Sequence, residues 1–214
     1  MDLGLQGKAA IVAASSRGIG KAVAARLAEE GADVIVASRT PEASEAAAEE
    51  IRQGARGRVV AMAADVTSPA DCAALVEGAQ RYFGRVDILV NNAGGPPLGP
   101  IMQFDEDDWL NAFRLNFLST LRLSRGVVPI MQQQGGGAIV NIVSYVVRQP
   151  AMLLALSNGI RAGVIGMAKS LANEMGPHGI RVNNVLPGRI ATERIVQIDR
   201  ARALEAASWP WPPT

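Results

Sequence analysis

Residues 9–20 read Ala9-Ala10-Ile11-Val12-Ala13-Ala14-Ser15-Ser16-Arg17-Gly18-Ile19-Gly20. The first half is a short apolar run, typical of a buried strand, and the second half is a glycine-containing turn that leads into a helical pattern. Backbone N–H groups in such a turn, together with the helix N-terminus, can hold a pyrophosphate. By itself the stretch is also compatible with a tight turn that binds no ligand.

The same alternation of short apolar runs and longer amphipathic stretches continues along nearly the whole chain. This pattern is typical of βαβ units around a parallel sheet. Strands are predicted at residues 9–14, 33–38, 58–63, 87–91, 138–143 and 181–186. Right-handed crossovers then give an α/β fold with a doubly wound, Rossmann-type parallel sheet flanked by helices on both faces.

Helices fill the gaps between these strands. Four are predicted to begin near Gly18, Pro41, Ser68 and Asp105, and three more cover residues 115–133, 152–175 and 192–207. Pro41 suits the first helical position, with Thr40 as the capping residue. Residues 1–208 are predicted to form a single domain, and the Trp- and Pro-rich tail 209–214 is predicted to be disordered.

Composition narrows the classes of partner. The 214-residue chain has 21 Lys and Arg against 20 Asp and Glu, and 49% of its residues are hydrophobic. Binding to nucleic acid or to an anionic membrane needs clustered basic residues in excess, so we expect neither partner. The apolar run after Lys8 is too short for a signal peptide or a membrane span, and we therefore expect a cytoplasmic protein.

Cys72 and His178 are the single cysteine and the single histidine. The sequence therefore predicts no intrachain disulfide, no cysteine-rich zinc site and no metal site built on paired histidines. A Ser, His and carboxylate triad would have to use His178, but the chain has no G-x-S-x-G elbow.

Further motifs follow the later strands in order. Asn91-Asn92-Ala93-Gly94 closes the fourth strand, Asn116 lies in the next helix, Ser144 follows the fifth strand, and Pro187-Gly188-Arg189-Ile190-Ala191-Thr192 follows the sixth. With the first turn, this arrangement resembles the short-chain dehydrogenase/reductase family over residues 5–192. The resemblance implies a dinucleotide-dependent oxidoreductase acting on a small molecule.

The resemblance also implies which residues contact the dinucleotide. Gly18, Ile19 and Gly20 would border it, Asp65 and Val66 would flank the adenine, Asn91 and Gly94 would shape the floor, and Ile190 and Thr192 would reach the carboxamide. The implied cofactor site further includes Ser15, Ser16, Ala93, Pro187 and Gly188. One departure is Ala14, which stands where the family has the first glycine of the turn.

The end of the second strand indicates which dinucleotide is used. An NAD-selective site has a carboxylate there to bind the ribose hydroxyls, whereas this strand ends Ala37-Ser38-Arg39. Arg39 together with Arg17 would bind a ribose phosphate through charge-assisted hydrogen bonds, which favours NADP(H) over NAD(H). The alternative is that both are solvated surface arginines.

The catalytic positions are where the family pattern breaks. In that family a Tyr transfers the substrate proton, a Lys four residues later lowers the pKa of that Tyr and binds the nicotinamide ribose, a Ser polarises the carbonyl and an Asn supports a water relay. Ser144 and Asn116 match the last two. Alignment on residues 162–172 puts Ser157 in the Tyr position and Arg161 in the Lys position, so the usual proton donor is missing.

Replacements for that donor are few. Ser157 is a poor general acid because its conjugate base is an alkoxide, whereas Arg161 stays charged and can still hold the ribose. Tyr145 should face away from the pocket if Ser144 faces into it, since neighbouring strand residues alternate; an irregular loop would remove that objection.

The sequence therefore predicts an NADP(H)-dependent short-chain oxidoreductase with an altered proton relay. The loop 94–100 and residues Met152, Leu153 and Leu154 are expected to line a pocket for a small apolar carbonyl or alcohol, although those three also suit helix packing. Pairing through helices 115–133 and 152–175 predicts a homodimer or homotetramer. A non-catalytic NADP(H)-binding protein and an inactive truncated chain are the alternatives.

Family members usually continue past the sixth strand into a seventh, for which this sequence offers no counterpart. We therefore expect the sixth strand to be an edge that another segment or chain must cover.

Overall fold

Six parallel strands form one sheet in the computed structural model, which describes residues 2–208 apart from the side chains of residues 202 and 205–208. The strands are β1 (Ala9–Val12), β2 (Asp33–Ser38), β3 (Val59–Ala63), β4 (Ile88–Asn91), β5 (Gly137–Ile142) and β6 (Ile180–Val185). Their spatial order is β3-β2-β1-β4-β5-β6. The order reverses beside β1, so a crevice is expected there at the carboxyl ends of the strands.

Seven α-helices connect or follow these strands. They are α1 (Gly18–Glu29), α2 (Pro41–Arg52), α3 (Pro69–Phe83), α4 (Glu106–Phe113), α5 (Ser119–Gln133), α6 (Ala155–Met175) and α7 (Glu193–Ser208). A π-helical segment, Arg114–Leu118, joins α4 to α5. None of these helices is long and apolar enough to cross a membrane, within the part of the chain that the structure describes. The predicted tail 209–214 lies outside the described residues.

Alternate residues of each central strand face opposite sides of the sheet and enter two separate cores. On β2, Val34 and Val36 pack with alanines of α1 and α2. Ile35 and Ala37 point the other way and pack with α3 and α5. Each core removes apolar side chains from water, which stabilises the fold by about 25 cal/mol per Å² of buried apolar area. The predicted doubly wound sheet with helices on both faces is therefore confirmed.

Two helices begin with side-chain capping bonds, whereas the capping residue that the sequence predicted makes none. Ser68 accepts a hydrogen bond from the Asp71 N–H, and Asp105 and Asp108 form a reciprocal capping box at the start of α4. Thr40 does occupy the cap position of α2, but its side chain makes no capping bond. Instead the Thr40 carbonyl accepts from the hydroxyls of Ser38 and Ser44.

Two predicted boundaries shift because of backbone conformation. β1 ends at Val12, two residues early, because Ala14 adopts a left-handed conformation with φ of 46°. α6 begins at Ala155 rather than at Met152, since Leu153 has φ of 61°. The Asn158 side chain then holds the preceding loop by donating to the Ala151 carbonyl at 3.0 Å.

Candidate active site

The first turn of the site, residues 13–17, is held from both sides by hydrogen bonds. The Ser15 hydroxyl donates to the Val12 carbonyl at 2.6 Å and accepts from the Ala37 N–H at 2.9 Å. The Asn92 amide donates to the carbonyls of Ala13 and Ala14. Ser15 is fully buried, so its hydroxyl shapes the turn and is already engaged with backbone groups.

Gly20 packs so closely against Ala14 and Asn92 that a side chain has no room there. A Cβ there would lie 2.6 Å from the Ala14 carbonyl oxygen and 2.6 Å from Asn92 Nδ2. Gly18, with φ of 58°, begins α1 and faces Thr192, whose Cγ2 would lie 3.7 Å from a Cβ at Gly18. The helix N-terminus and the run before α7 therefore meet here. Ser16 and Ile19 are half-buried on the same turn. A glycine-containing turn at the N-terminus of α1 suits a pyrophosphate, because the first N–H groups of a helix have no partner within the helix.

The end of β2 presents cationic and hydroxyl groups without a carboxylate. Ser38 is buried and its hydroxyl contacts that of Ser44, whereas Arg39 is exposed. Arg17 is exposed as well, but its Nη1 donates to Glu193 Oε2 at 2.8 Å. That ion pair lies in solvent and is worth about 0–1 kcal/mol, so an anion can displace it.

Asp65 and Val66 lie in the turn between β3 and α3. Oδ1 of Asp65 accepts hydrogen bonds from both the N–H and the hydroxyl of Thr67. Val66 is buried. The carboxylate thus fixes the start of the turn, and its second oxygen is left for other contacts.

Three asparagines form a ladder across β4, β5 and β6 at adjacent register positions. Asn91 Nδ2 donates to Asn141 Oδ1 at 2.9 Å, and Asn141 Nδ2 donates to Asn184 Oδ1 at 2.9 Å. Asn91 also contacts the hydroxyl of Ser124. Asn91 is therefore a buried group on the floor of the site, held by its amide nitrogen.

Asn116 lies in the π-helical segment and connects it to the loop after β4. Its Nδ2 donates to the Gly94 carbonyl at 3.0 Å, and its backbone carbonyl accepts from the Thr120 hydroxyl. Oδ1 of Asn116 and Oδ1 of Asn91 are buried and accept no hydrogen bond from the described residues. π-Helical turns of this kind often occur at functional sites.

Both asparagines line a small cavity at the carboxyl ends of β4 and β5. Its volume is about 10 Å³. The remaining lining residues are Asn92, Ala93, Thr120, Asn141, Ile142, Val143, Arg161 and Val164. A polar cavity of this size holds one water molecule.

Arg161 enters the same cavity from α6. Its Nη1 donates to the carbonyls of Ile142 and Val143, both at 3.1 Å. Burial, and secondarily the positive charge of Arg194, lower the pKa of Arg161 to about 10. The guanidinium is still charged at neutral pH, and no carboxylate of the described chain pairs with it.

The structure brings the remaining predicted catalytic residues to the same end of the sheet. Ser157 is buried one helical turn before Arg161 on α6, so both lie on one face of that helix. Ser144 follows β5 in an extended conformation. Tyr145 begins a 3₁₀ turn three residues after the strand ends, and the strand-alternation argument against it does not apply.

The segment after β6 leads into α7. Pro187 accepts a hydrogen bond from the Tyr145 N–H at 3.1 Å, which places the run 187–192 beside the end of β5. Gly188 and Ile190 are exposed, and the Thr192 hydroxyl donates to the Ile190 carbonyl.

Two loops, residues 94–100 and 152–154, border the expected substrate entrance, and a backbone hydrogen bond joins them. The Gly99 N–H donates to the Leu153 carbonyl at 2.9 Å. Leu154 is buried directly before α6, and its place in the lining of the pocket stays a prediction. Met152, by contrast, is 68% exposed. Ile101 and Met102 after β4 and Ile190 after β6 are exposed apolar residues as well, and these three residues, together with Met152, are named the apolar rim.

Sequence patterns missed several of these groups. Arg194 was not singled out, although it follows the Pro187–Thr192 run by only two residues. The ladder partners Asn141 and Asn184 were also missed, yet each is a polar residue inside an apolar strand, which is the signal that could have identified them. No cluster of His, Cys, Asp or Glu suited to a metal ion occurs among residues 2–208 with described side chains.

Comparison with known proteins agrees with this geometry. The family model for short chain dehydrogenase matches residues 8–203. The 3-oxoacyl-[acyl-carrier-protein] reductase of Vibrio cholerae is 38% identical over 191 residues, which are 89% of this chain and 77% of that protein. The 7alpha-hydroxysteroid dehydrogenase of Escherichia coli is 35% identical over 92% of this chain and 76% of its own length.

Solved structures give the same result. L-sorbose reductase from Gluconobacter frateurii, complexed with NADPH and L-sorbose, superposes with a TM-score of 0.89 at 36% identity, covering 97% of this chain and 78% of that one. A 7 alpha-hydroxysteroid dehydrogenase complexed with NADH and 7-oxo glycochenodeoxycholic acid superposes with a TM-score of 0.86 at 34% identity, covering 91% and 75%. With its parallel sheet and these matches over most of its length, the chain belongs to the short-chain dehydrogenase family of oxidoreductases.

Proposed function

We propose that this protein is an NADP(H)-dependent oxidoreductase that interconverts a small, largely apolar carbonyl compound and its alcohol. The observation that carries the proposal is the intact cradle around Gly20 beside a polar cavity that Asn116 and Arg161 share. The nicotinamide supplies or accepts the hydride when bound, and the residues of this chain position the reactants and handle the proton.

The preference for NADP(H) is supported by the end of β2. Relatives of known structure bind either NADPH or NADH, so family membership leaves the preference open. Here Arg39 is exposed directly after Ser38, and the end of β2 itself carries no carboxylate. Arg17 joins it when the weak Glu193 ion pair opens.

The proposed proton path uses the small cavity. Oδ1 of Asn116 and Oδ1 of Asn91 are acceptors for one water molecule there. Ser144 donates to the substrate carbonyl, while the fixed charge of Arg161 stabilises negative charge that develops on the oxygen. Arg161 stays protonated at neutral pH and already donates to two carbonyls, so it acts as a positive charge and ribose ligand rather than as a base.

The apolar rim supports an apolar substrate. Met102 is 92% exposed and Met152 is 68% exposed, both on loops that follow strands of the site. Unbranched thioether side chains adapt to varied apolar surfaces. Binding of a substrate would remove this apolar area from water.

Calorimetric titration with NADPH and with NADH tests the cofactor assignment. We expect Arg39→Gln to weaken NADPH binding by about tenfold or more through loss of charge-assisted hydrogen bonds, and to leave NADH binding unchanged. Arg56→Gln is the matched control, since Arg56 is exposed in the loop before β3. Equal loss of both dinucleotides, or tighter NADH than NADPH binding by the parent protein, would contradict the preference.

Turnover is tested by restoring the Tyr and Lys that the family has at the positions of Ser157 and Arg161. The double substitution Ser157→Tyr with Arg161→Lys should raise the rate of carbonyl-dependent NADPH oxidation, because a positioned general acid contributes roughly 10²–10⁴-fold. NADPH binding without turnover in either protein would favour a non-catalytic binding protein.

A further inference from the structure

Arg194 on α7 lies against the loop that follows β4. Its Nη2 donates to the Pro96 carbonyl at 2.6 Å, and a Cβ at Gly95 would lie 2.5 Å from its Nε. The guanidinium is half-buried, and burial lowers its pKa. Only a glycine leaves room for it at this place in the loop.

Arg161 in the cavity and Arg194 against the loop are both at least half-buried, and the positive charge of Arg194 helps to lower the pKa of Arg161. Neither has a carboxylate within ion-pair distance in the described part of the chain, whereas other arginines of the same region do. Arg17 pairs with Glu193, and Arg189 pairs with Asp199. Partial burial of two like charges is costly unless an anion compensates them.

The position of Arg194 separates it from the pyrophosphate cradle. Its neighbour Glu193 contacts Arg17 of the first turn. Successive helical residues point about 100° apart, and Arg194 accordingly contacts the loop after β4 instead. That loop borders the expected substrate entrance, as does Arg161 through the end of β5.

We propose that Arg194 binds a carboxylate of the substrate, with the positive charge of Arg161 adding to the attraction. The substrate is then an oxo acid or hydroxy acid whose apolar remainder contacts the apolar rim. This inference rests on the proposed oxidoreductase function and names its substrate class. A guanidinium suits the task, because its planar donors match the two oxygens of a carboxylate.

Binding of acid and amide pairs tests this inference without turnover. The probes are 2-oxobutyrate and 2-oxooctanoate, each compared with its uncharged amide, titrated calorimetrically into the protein alone and into the protein saturated with NADP⁺, which cannot reduce them. We expect the parent protein to bind each acid at least about tenfold more tightly than its amide, as a charge-assisted hydrogen bond implies.

Two variants and one control isolate Arg194. Arg194→Gln should abolish the preference for the acid, and Arg194→Lys should keep part of it. Gly95→Ala should also reduce it, because the added Cβ displaces the guanidinium without changing its charge. Arg200→Gln is the control, since Arg200 is exposed on the same helix; the preference should persist there. Thermal melts confirm that each variant is folded.

Three outcomes would overturn the proposal. The first is equal binding of acids and amides by the parent protein. The second is an acid preference that survives Arg194→Gln. The third is a loss of NADP⁺ affinity in Arg194→Gln with the acid preference intact, which would assign the anion to the cofactor pyrophosphate. Failure of the parent protein to bind NADP⁺ would instead contradict the proposed function, and the acid preference of the protein alone would still decide this inference.

Discussion

The two halves of the sheet use polar groups in opposite ways. In the half built from β1, β2 and β3, polar side chains such as Ser15 are paired with backbone groups. In the half built from β4, β5 and β6, buried amides keep acceptors without partners, and Arg161 pairs with no carboxylate, among the residues that the structure describes. Unsatisfied buried groups are costly. The contrast indicates a rigid binding half and a polarised half suited to chemistry.

Gly20→Ala should break the rigid half most severely. The new Cβ would meet the Ala14 carbonyl oxygen at 2.6 Å, so the turn must move, at a cost of about 3 kcal/mol. The affinity for the dinucleotide should fall together with the stability. Urea denaturation and calorimetry measure the two effects.

Gly166→Ala is the matched control for that substitution, because nothing lies within 4 Å of a Cβ at Gly166. It should stabilise the protein by up to about 1 kcal/mol through helix propensity. Similar stabilities of the two variants would contradict the close approach at Gly20.

Asn141→Ala should break the polarised half next. It removes the middle of the ladder and leaves the Asn91 amide and Asn184 carbonyl without these partners, which costs about 2 kcal/mol. Asn183→Ala changes an exposed neighbour on β6 and should stay within about 0.5 kcal/mol of the parent. Chemical denaturation compares the pair, and equal effects would show that the ladder adds no stability.

Asp87 joins the two halves at the amino ends of β1 and β4, and it should make stability depend on pH. Burial alone would raise its pKa, but hydrogen bonds from Arg85 and the Ala9 N–H lower it overall. A depressed folded-state pKa means that the stabilisation is present above about pH 4, the unfolded value, and is lost as the pH falls through the folded pKa.

Asp87→Asn should therefore cost about 1–2 kcal/mol at neutral pH and flatten the acid limb of the stability curve. Denaturation midpoints between neutral and acidic pH measure this. An acid limb that is unchanged in Asp87→Asn would assign acid sensitivity to other carboxylates, Asp33 with its Arg58 partner being the next to examine.

Ala14→Gly is expected to change the stability least, and it tests the backbone conformation of the first turn. Ala14 has φ of 46°, a region that is costly for a residue with a Cβ, so glycine should stabilise the fold by about 0.5–1 kcal/mol. Ala22→Gly, at an exposed position within α1, should instead destabilise by about 1 kcal/mol. Thermal denaturation shows whether each of the two substitutions raises or lowers the stability. Destabilisation by Ala14→Gly would show that the turn carries no strain.

The fold was predictable because its signals are local. The apolar run 33–38 coincides with β2, and the other strands lie within two residues of their predicted bounds. The errors occur where a single residue leaves the regular backbone, as Ala14 and Leu153 do. Periodicity depends on side-chain polarity, which does not report a left-handed φ at alanine or leucine.

The site was predictable only where the chain itself places residues together. Gly18 and Gly20 share one turn, and Ser157 and Arg161 share one helical face. Arg194 and Pro96 meet across 98 residues of sequence, and the asparagine ladder depends on register between three strands. Such contacts arise from tertiary packing, and no spacing rule within one element encodes them.

The hydrogen bonds of the asparagine ladder all run in one direction across the sheet. Two successive amides in it donate toward β6, from Asn91 to Asn141 and from Asn141 to Asn184, so their dipoles point the same way and polarise one another. The negative pole is Oδ1 of Asn91, which faces the cavity that Arg161 also lines. A change at Asn184, near the outer edge of the sheet, would therefore weaken the electric field in that cavity, two strands away.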